Sequence, residues 1–183
     1  MQAIDLLLSR SSQPRLEAPA PAGEALENII QAGFRAPDHK CLSPWRFVVC
    51  QGEGLVRLGS IFKASAESKN ADTKVIERAS QLPLRAPMVI VGICEYKQCD
   101  GVPRVEQIAS AACALSAMQM AAVAQGFQGV WRTGAYAQDD FVKDAFGCSE
   151  HDEIMGFLYL GSSTLTPREK AKKVIDDFVE FWD

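Results

Sequence analysis

A chain of 183 residues is long enough for one folding unit around one hydrophobic core. Its 48% hydrophobic and 23% charged residues match an ordinary globular protein, and a net charge of −4 leaves no surplus of Lys and Arg to displace phosphate counterions. Non-specific nucleic-acid binding is therefore not expected. Met1 to Ser9 carry Asp5 in a short apolar stretch without a basic leader, so no secretory signal is expected. Cys41, Cys50, Cys94, Cys99, Cys113 and Cys148 form no C-x-x-C pair, and with only His39 and His151 beside them no metal site is expected. They read as free thiols of a reducing cytoplasm, with Cys50, Cys94 and Cys113 in apolar surroundings.

The spacing of apolar residues predicts a short amphipathic helix over Ala3 to Ser9, stopping at Arg10-Ser11-Ser12. After the loop of Pro19 and Pro21, a second helix runs from Gly23 to Arg35, with Leu26, Ile29, Ile30 and Phe34 on one face. Pro37 and Pro44 bound a loop ahead of a strand near Arg46 to Cys50. Helices follow over Gly54 to Ala66 and Asp72 to Gln81. Met88 to Cys94 is a continuous apolar run suited to a central strand covered on both faces. A long helix from Arg104 to Gln125 comes next, then a strand over Gln128 to Thr133, a helix near Asp139 to Phe146 and a strand over Ile154 to Leu160. No charge occurs between Gln107 and Trp131, a length that raises a membrane span, but the glutamines and serines within it favour a soluble helix buried on nearly all sides. The absence of a βαβ repeat at the start favours α+β over a doubly wound sheet.

One glycine-rich turn is a decoy. Gly52-Glu53-Gly54 links a strand to a helix as a dinucleotide-binding turn would, but Arg57 stands where the third glycine belongs. Three other clusters can carry chemistry. Arg10-Ser11-Ser12, with Arg15, offers a guanidinium beside two hydroxyls, able to grip a phosphate or simply to end a helix in solvent. The loop Ala36-Pro37-Asp38-His39-Lys40 with Ser43-Pro44-Trp45 holds one of the two histidines between prolines. Ala121 to Gly126, followed by Gly129-Val130-Trp131-Arg132-Thr133-Gly134, combines glycines that permit close approach of a planar ligand with an arginine in an otherwise apolar strand.

In this order the clusters resemble the nitroreductase-like flavoproteins, particularly their short members, over Ile4 to Gly161. Arg35 to Lys40 with Pro44-Trp45, the helix Met118 to Gly126 and Gly156-Phe157-Leu158-Tyr159-Leu160-Gly161 carry the likeness. The resemblance implies a three-layer α/β/α fold with a mostly antiparallel sheet and a long buried central helix. It implies a homodimer with flavin mononucleotide (FMN) at the subunit interface, taking electrons from NADH or NADPH. Carried over by position, Arg10, Ser11, Ser12, Arg35, His39, Trp131, Arg132 and Thr133 would bind FMN, with Arg35 and His39 coming from the other subunit. Ser11 departs from the family pattern by replacing a second arginine, so that either Arg15 or Arg132 compensates or FMN binds more weakly. Ala121, Ala122, Val123, Ala124, Gln125 and Gly126 correspond to a nicotinamide contact. No side chain is assigned as catalytic, since the flavin does the chemistry; His39 is expected to supply a hydrogen bond. One FMN-binding domain over residues 1–183 is expected, with the apolar tail of about 167–183 docking on the partner. The expected activity is reduction of nitroaromatic, quinone or enone acceptors, with a flavin-binding or flavin-degrading protein as the alternative. The Arg168-Lys170-Lys172-Lys173 patch is either a solvated charge run or an attractor for the nicotinamide phosphate.

Overall fold

The computed structural model describes residues 2–165 and 170–182. Six helices surround four strands: α1 (Ala3–Ser9), α2 (Glu24–Gly33), β1 (Trp45–Gln51), α3 (Glu53–Ser68), α4 (Thr73–Gln81), β2 (Met88–Cys94), α5 (Arg104–Ala124), β3 (Gln128–Arg132), α6 (Asp140–Ala145) and β4 (Glu153–Gly161). The strands form one antiparallel sheet in the order β1-β2-β4-β3. This is an α+β fold, and the parallel sheet that a dinucleotide-binding turn at Gly52 would require is absent from it.

The unbroken apolar run of β2 has a simple cause. Val89, Val91 and Ile93 face a core completed by Leu55, Leu58 and Phe62 of α3, Ala79 of α4 and Val142 of α6. The alternate residues Met88 and Ile90 face Ile29 of α2 and Leu115, Met118 and Ala122 of α5. Both faces are covered, so the period-two pattern of a half-exposed strand disappears. The sheet thus lies between two helical layers. Gly92 permits the α5 layer to sit this close, because a Cβ there would lie 2.5 Å from Leu115 Cδ1.

The β2–β4 pairing shifts at Gly92/Ile93: Gly92 opposes Gly156 and Ile93 opposes Ile154, which leaves Met155 as the extra residue of a bulge.

Two expectations need correction. Among the described residues α5 is long and apolar enough to cross a membrane, but half of its most apolar window is buried inside the fold against α2 and the sheet. It is not covered on nearly all sides, however. Val105, Ala109, Cys113 and Ser116 form an exposed stripe at helical spacing. Cys113 is accordingly exposed rather than set among apolar neighbours, whereas Cys50 and Cys94 are buried; all six cysteines are free. Helix α1 also leaves its apolar face uncovered, with Ile4, Leu7 and Leu8 all exposed.

Candidate active site

Residues 10–13 run beside the edge strand β3. The backbone N–H of Gln13 donates to the carbonyl of Gly129 at 3.0 Å, and the Gln119 side chain of α5 donates to the same oxygen at 3.0 Å. Farther along, Glu17 pairs with Ser162 just after β4. These bonds hold the Arg10-Ser11-Ser12 turn against the fold although α1 itself buries nothing. Ser12 is exposed and Arg10 half-buried, while Ser11 is only 5% exposed.

Two buried polar atoms here lack a hydrogen-bond partner: Ser11 Oγ and Arg132 Nε. Leaving such a group unsatisfied costs about 1–3 kcal/mol, so each is a group that a ligand oxygen would satisfy. The Arg132 guanidinium lies 5.6 Å from the centroid of the Tyr159 ring, which explains how an arginine is accommodated in an apolar strand. Burial raises the Tyr159 hydroxyl above its ordinary pKa, and the charges of Arg132 and Arg85 pull it back.

Trp131 points to the opposite face of β3. Its indole Nε1–H donates to the Met155 carbonyl at 3.0 Å, a group that the bulge has released from the β2–β4 ladder. Gly156 makes room for this ring. Its φ is +133°, and a Cβ there would sit 2.5 Å from Trp131 Nε1 and 2.6 Å from the Arg132 carbonyl. Thr133 follows the strand and is exposed.

The histidine loop is more constrained than its prolines alone require. Ser110 Oγ of α5 donates to the Pro37 carbonyl at 2.6 Å. The Asp38 carboxylate accepts from the Ser43 N–H at 2.6 Å, and Lys40 Nζ donates to the Asp100 carbonyl at 2.6 Å. His39 Nδ1 lies 2.8 Å from Glu106 Oε2. Held this way, Lys40, Cys41 and Ser43 adopt φ of 60°, 53° and 50°, a left-handed conformation that costs each non-glycine residue energy and persists only where surroundings enforce it. Arg35, at the C-terminal end of α2, is exposed.

One chain does not bring all the expected FMN residues together. The His39 loop is tied to α5 at Glu106 and Ser110, whereas Gln13, next to the Arg10–Ser12 segment, shares the Gly129 carbonyl with Gln119. Along the axis of α5, residues 106 and 119 stand about 20 Å apart. Sequence reading missed Glu106, Ser110 and Gln119 as anchors. Glu106 carries the last charge before the uncharged stretch, and that was the available signal.

Ala121 to Gly126 form the end of α5, and the structure gives them a capping role. The Phe127 N–H donates to the Ala122 carbonyl at 3.0 Å, Gly126 takes φ +88°, and Gln125 Nε2 donates to the Ala25 carbonyl of α2 at 3.1 Å. Arg15 stands apart from Arg10 in an open cleft of about 500 Å³ with Arg85, Glu17, Ser163 and Thr164. Of the basic patch, Arg168 lies outside the described residues, while Lys170, Lys172 and Lys173 are exposed. Asp139 and Asp152 are buried carboxylates with structural roles. Asp139 accepts from Ser65, Lys69 and the Val142 N–H, and Asp152 accepts from the N–H groups of Tyr96 and Ser149. Among the described residues no three His, Cys, Asp or Glu side chains gather as a metal site.

Comparison with known proteins agrees with this architecture. The chain is 49% identical over 176 residues to the protein described as "Putative NAD(P)H nitroreductase YdjA" of Escherichia coli (strain K12), covering 96% of this chain and 94% of that one. Among solved structures, a nitroreductase-like family protein from Bacillus cereus superposes with a TM-score of 0.85 at 22% identity, covering 100% of this chain and 97% of the other. The FMN and NADPH-dependent nitroreductase NfnB from Sphigopyxis sp. strain HMH gives a TM-score of 0.74 at 15% identity, with 99% of each chain covered. The model of the Nitroreductase family matches residues 7–162. The chain therefore belongs to the nitroreductase family, a family of oxidoreductases.

Proposed function

We propose that this chain is an FMN-dependent NAD(P)H oxidoreductase that reduces nitroaromatic, quinone or enone acceptors. The observation that carries the proposal is that Ser11 Oγ, within the turn expected to hold the cofactor phosphate, and Arg132 Nε on β3 are both buried without a partner. The donor set fits FMN: guanidinium N–H groups at Arg10 and Arg132 suit phosphate oxygens, and hydroxyls at Ser11 and Ser12 suit the phosphate or ribityl chain. Arg132 supplies the cation that Ser11 does not. Trp131, fixed by the Met155 carbonyl, gives the site a stiff wall.

Arg35 and His39 reach the same flavin from a second copy of the chain, which removes the separation of about 20 Å within one copy. The exposed stripe Val105, Ala109, Cys113 and Ser116 on α5 is the surface where the copies meet. Exposed Phe178, Phe181 and Trp182 of the tail dock on the partner, so residues 1–183 act as one FMN-binding unit within a homodimer. The end of α5, Ala121 to Gly126, borders the nicotinamide.

Bound there, FMN supplies a hydride relay through N5 between NADH or NADPH and the acceptor. The protein's part is to hold the phosphate with Arg10 and Arg132, position the ring beside Trp131, and exclude water by dimer closure. No side chain need act as acid, base or nucleophile. Purified protein is expected to be yellow after desalting and to bleach anaerobically with NADH or NADPH. Arg10→Ala and Arg132→Ala are each expected to weaken FMN binding about 10- to 100-fold, the loss of one charge-assisted hydrogen bond. Colourless protein that takes up no added FMN, or unchanged affinity in both variants, would overturn the assignment.

A further inference from the structure

The contact between His39 and Glu106 fixes more than a position. An ionised carboxylate only accepts hydrogen bonds, so the 2.8 Å approach of Nδ1 to Glu106 Oε2 places a hydrogen on Nδ1. In the neutral ring Nε2 then carries the free lone pair. No described residue bonds Nε2, and the His39 side chain is half exposed. The neighbouring backbone holds the ring to this choice: three non-glycine residues at positive φ and the anchors at Pro37, Asp38 and Lys40 leave the loop little freedom to turn His39 over.

We propose that Glu106 is a positioning residue that holds the uncharged form of the His39 ring in the Nδ1–H tautomer, so that in this form Nε2 accepts a hydrogen bond from an O–H or N–H donor of the flavin. This rests on the FMN reading above and sharpens the role of His39 within it. An acceptor at Nε2 suits a ribityl hydroxyl or the imide N–H of the flavin ring. It cannot serve a phosphate oxygen, which has no hydrogen to give. The two halves of the site would then divide the cofactor by chemistry: arginines on the anionic end, and an acceptor histidine on a donor group.

The test uses the full-length protein labelled with ¹⁵N at histidine, with and without FMN, at a pH where the ring is neutral. With two histidines in the chain, His151→Gln assigns the signals. The expected result is a protonated, pyrrole-type Nδ1 and a pyridine-type Nε2 for His39, with Nε2 moving on FMN addition. Glu106→Ala and Glu106→Met, which both remove the acceptor oxygen, should shift the ring towards the Nε2–H tautomer and weaken FMN binding about three- to tenfold, as loss of one oriented hydrogen bond does. Glu106→Met keeps the side-chain length without an acceptor, so it serves where the alanine variant folds poorly. An Nε2–H tautomer in the unmodified protein, or a tautomer indifferent to both substitutions, would overturn the role of Glu106. An Nε2 signal unmoved by FMN in yellow protein would overturn the acceptor role. Protein that binds no FMN would instead sink the cofactor reading, while the tautomer measurement still decides the Glu106 contact.

Discussion

Gly156→Ala is the sharpest test of how the strand bulge builds the site. The new Cβ would lie 2.5 Å from Trp131 Nε1 and 2.6 Å from the Arg132 carbonyl, both far inside contact distance. It would also force φ of +133°, where L-residues are rarely found. Backbone strain of about 1–3 kcal/mol and overpacking of about 1–3 kcal/mol sum to a loss of about 2–6 kcal/mol. For a chain of this size that lowers Tm by roughly 4–24 °C. Gly147→Ala is the control, because φ there is +66° but no atom lies within 4 Å of the added Cβ. Its cost is the left-handed backbone alone, about 1–2 kcal/mol. Thermal unfolding should be measured at one protomer concentration and with FMN held constant, since both move Tm by mass action. The relief available to Gly156→Ala is to displace Trp131 and the Arg132 backbone, so FMN retention should fall together with stability. Equal losses in the two variants would refute the reasoning, because the contact with Trp131 would then cost nothing.

Four further outcomes follow from other contacts. Trp131→Phe keeps the apolar wall but strands the Met155 carbonyl, and urea unfolding should register a loss of about 1–3 kcal/mol. Burial raises the Asp152 carboxyl, but the N–H groups of Ser149 and Tyr96 outweigh it and hold the group below its ordinary value of about 3.9. Its stabilisation is thus complete above about pH 4 and lost as pH falls through the lower folded value; Asp152→Asn should be less stable near neutrality and flatten the acid limb of a stability–pH curve. Burial pushes the Cys94 thiol up to about 11, so alkylation at about pH 8 followed by mass spectrometry should modify exposed Cys41 well before Cys94. Cys113→Glu places a charge on the open stripe of α5 and should yield colourless monomers by sedimentation, whereas yellow dimers would refute that surface as the interface.

Much of the fold was legible because local signals agreed with tertiary need. The run Met88–Cys94 is apolar without alternation, and the structure covers both its faces. Arg57 rules out the dinucleotide turn at Gly52, and the sheet is antiparallel throughout. Among the candidate site residues, Arg132 drew notice as a cation in an apolar strand, and its unpartnered Nε and place over Tyr159 supply the physical reason. What stayed hidden depends on contacts distant in sequence. Nothing local announces that the carbonyl of Met155 will be freed by a bulge and taken by Trp131, or that Glu106 will meet a histidine at position 39. Ser11 looked like a deficit of charge, and only its burial reveals a hydroxyl awaiting a partner.

Helix α5 ties these observations together. A helix without charges for most of its length predicts burial all round, because an uncharged face gains nothing from water. Its own chain covers only part of it and leaves Val105, Ala109, Cys113 and Ser116 open. The same helix anchors the His39 loop near one end and, through Gln119, the strand beside the Arg10 turn near the other. A second copy packed antiparallel along that stripe would cover the exposed residues and set the His39 loop of one chain opposite the Arg10 turn of the next. Two separate deficits, uncovered apolar surface and a divided donor set, then have one remedy, and Cys113→Glu should remove both at once.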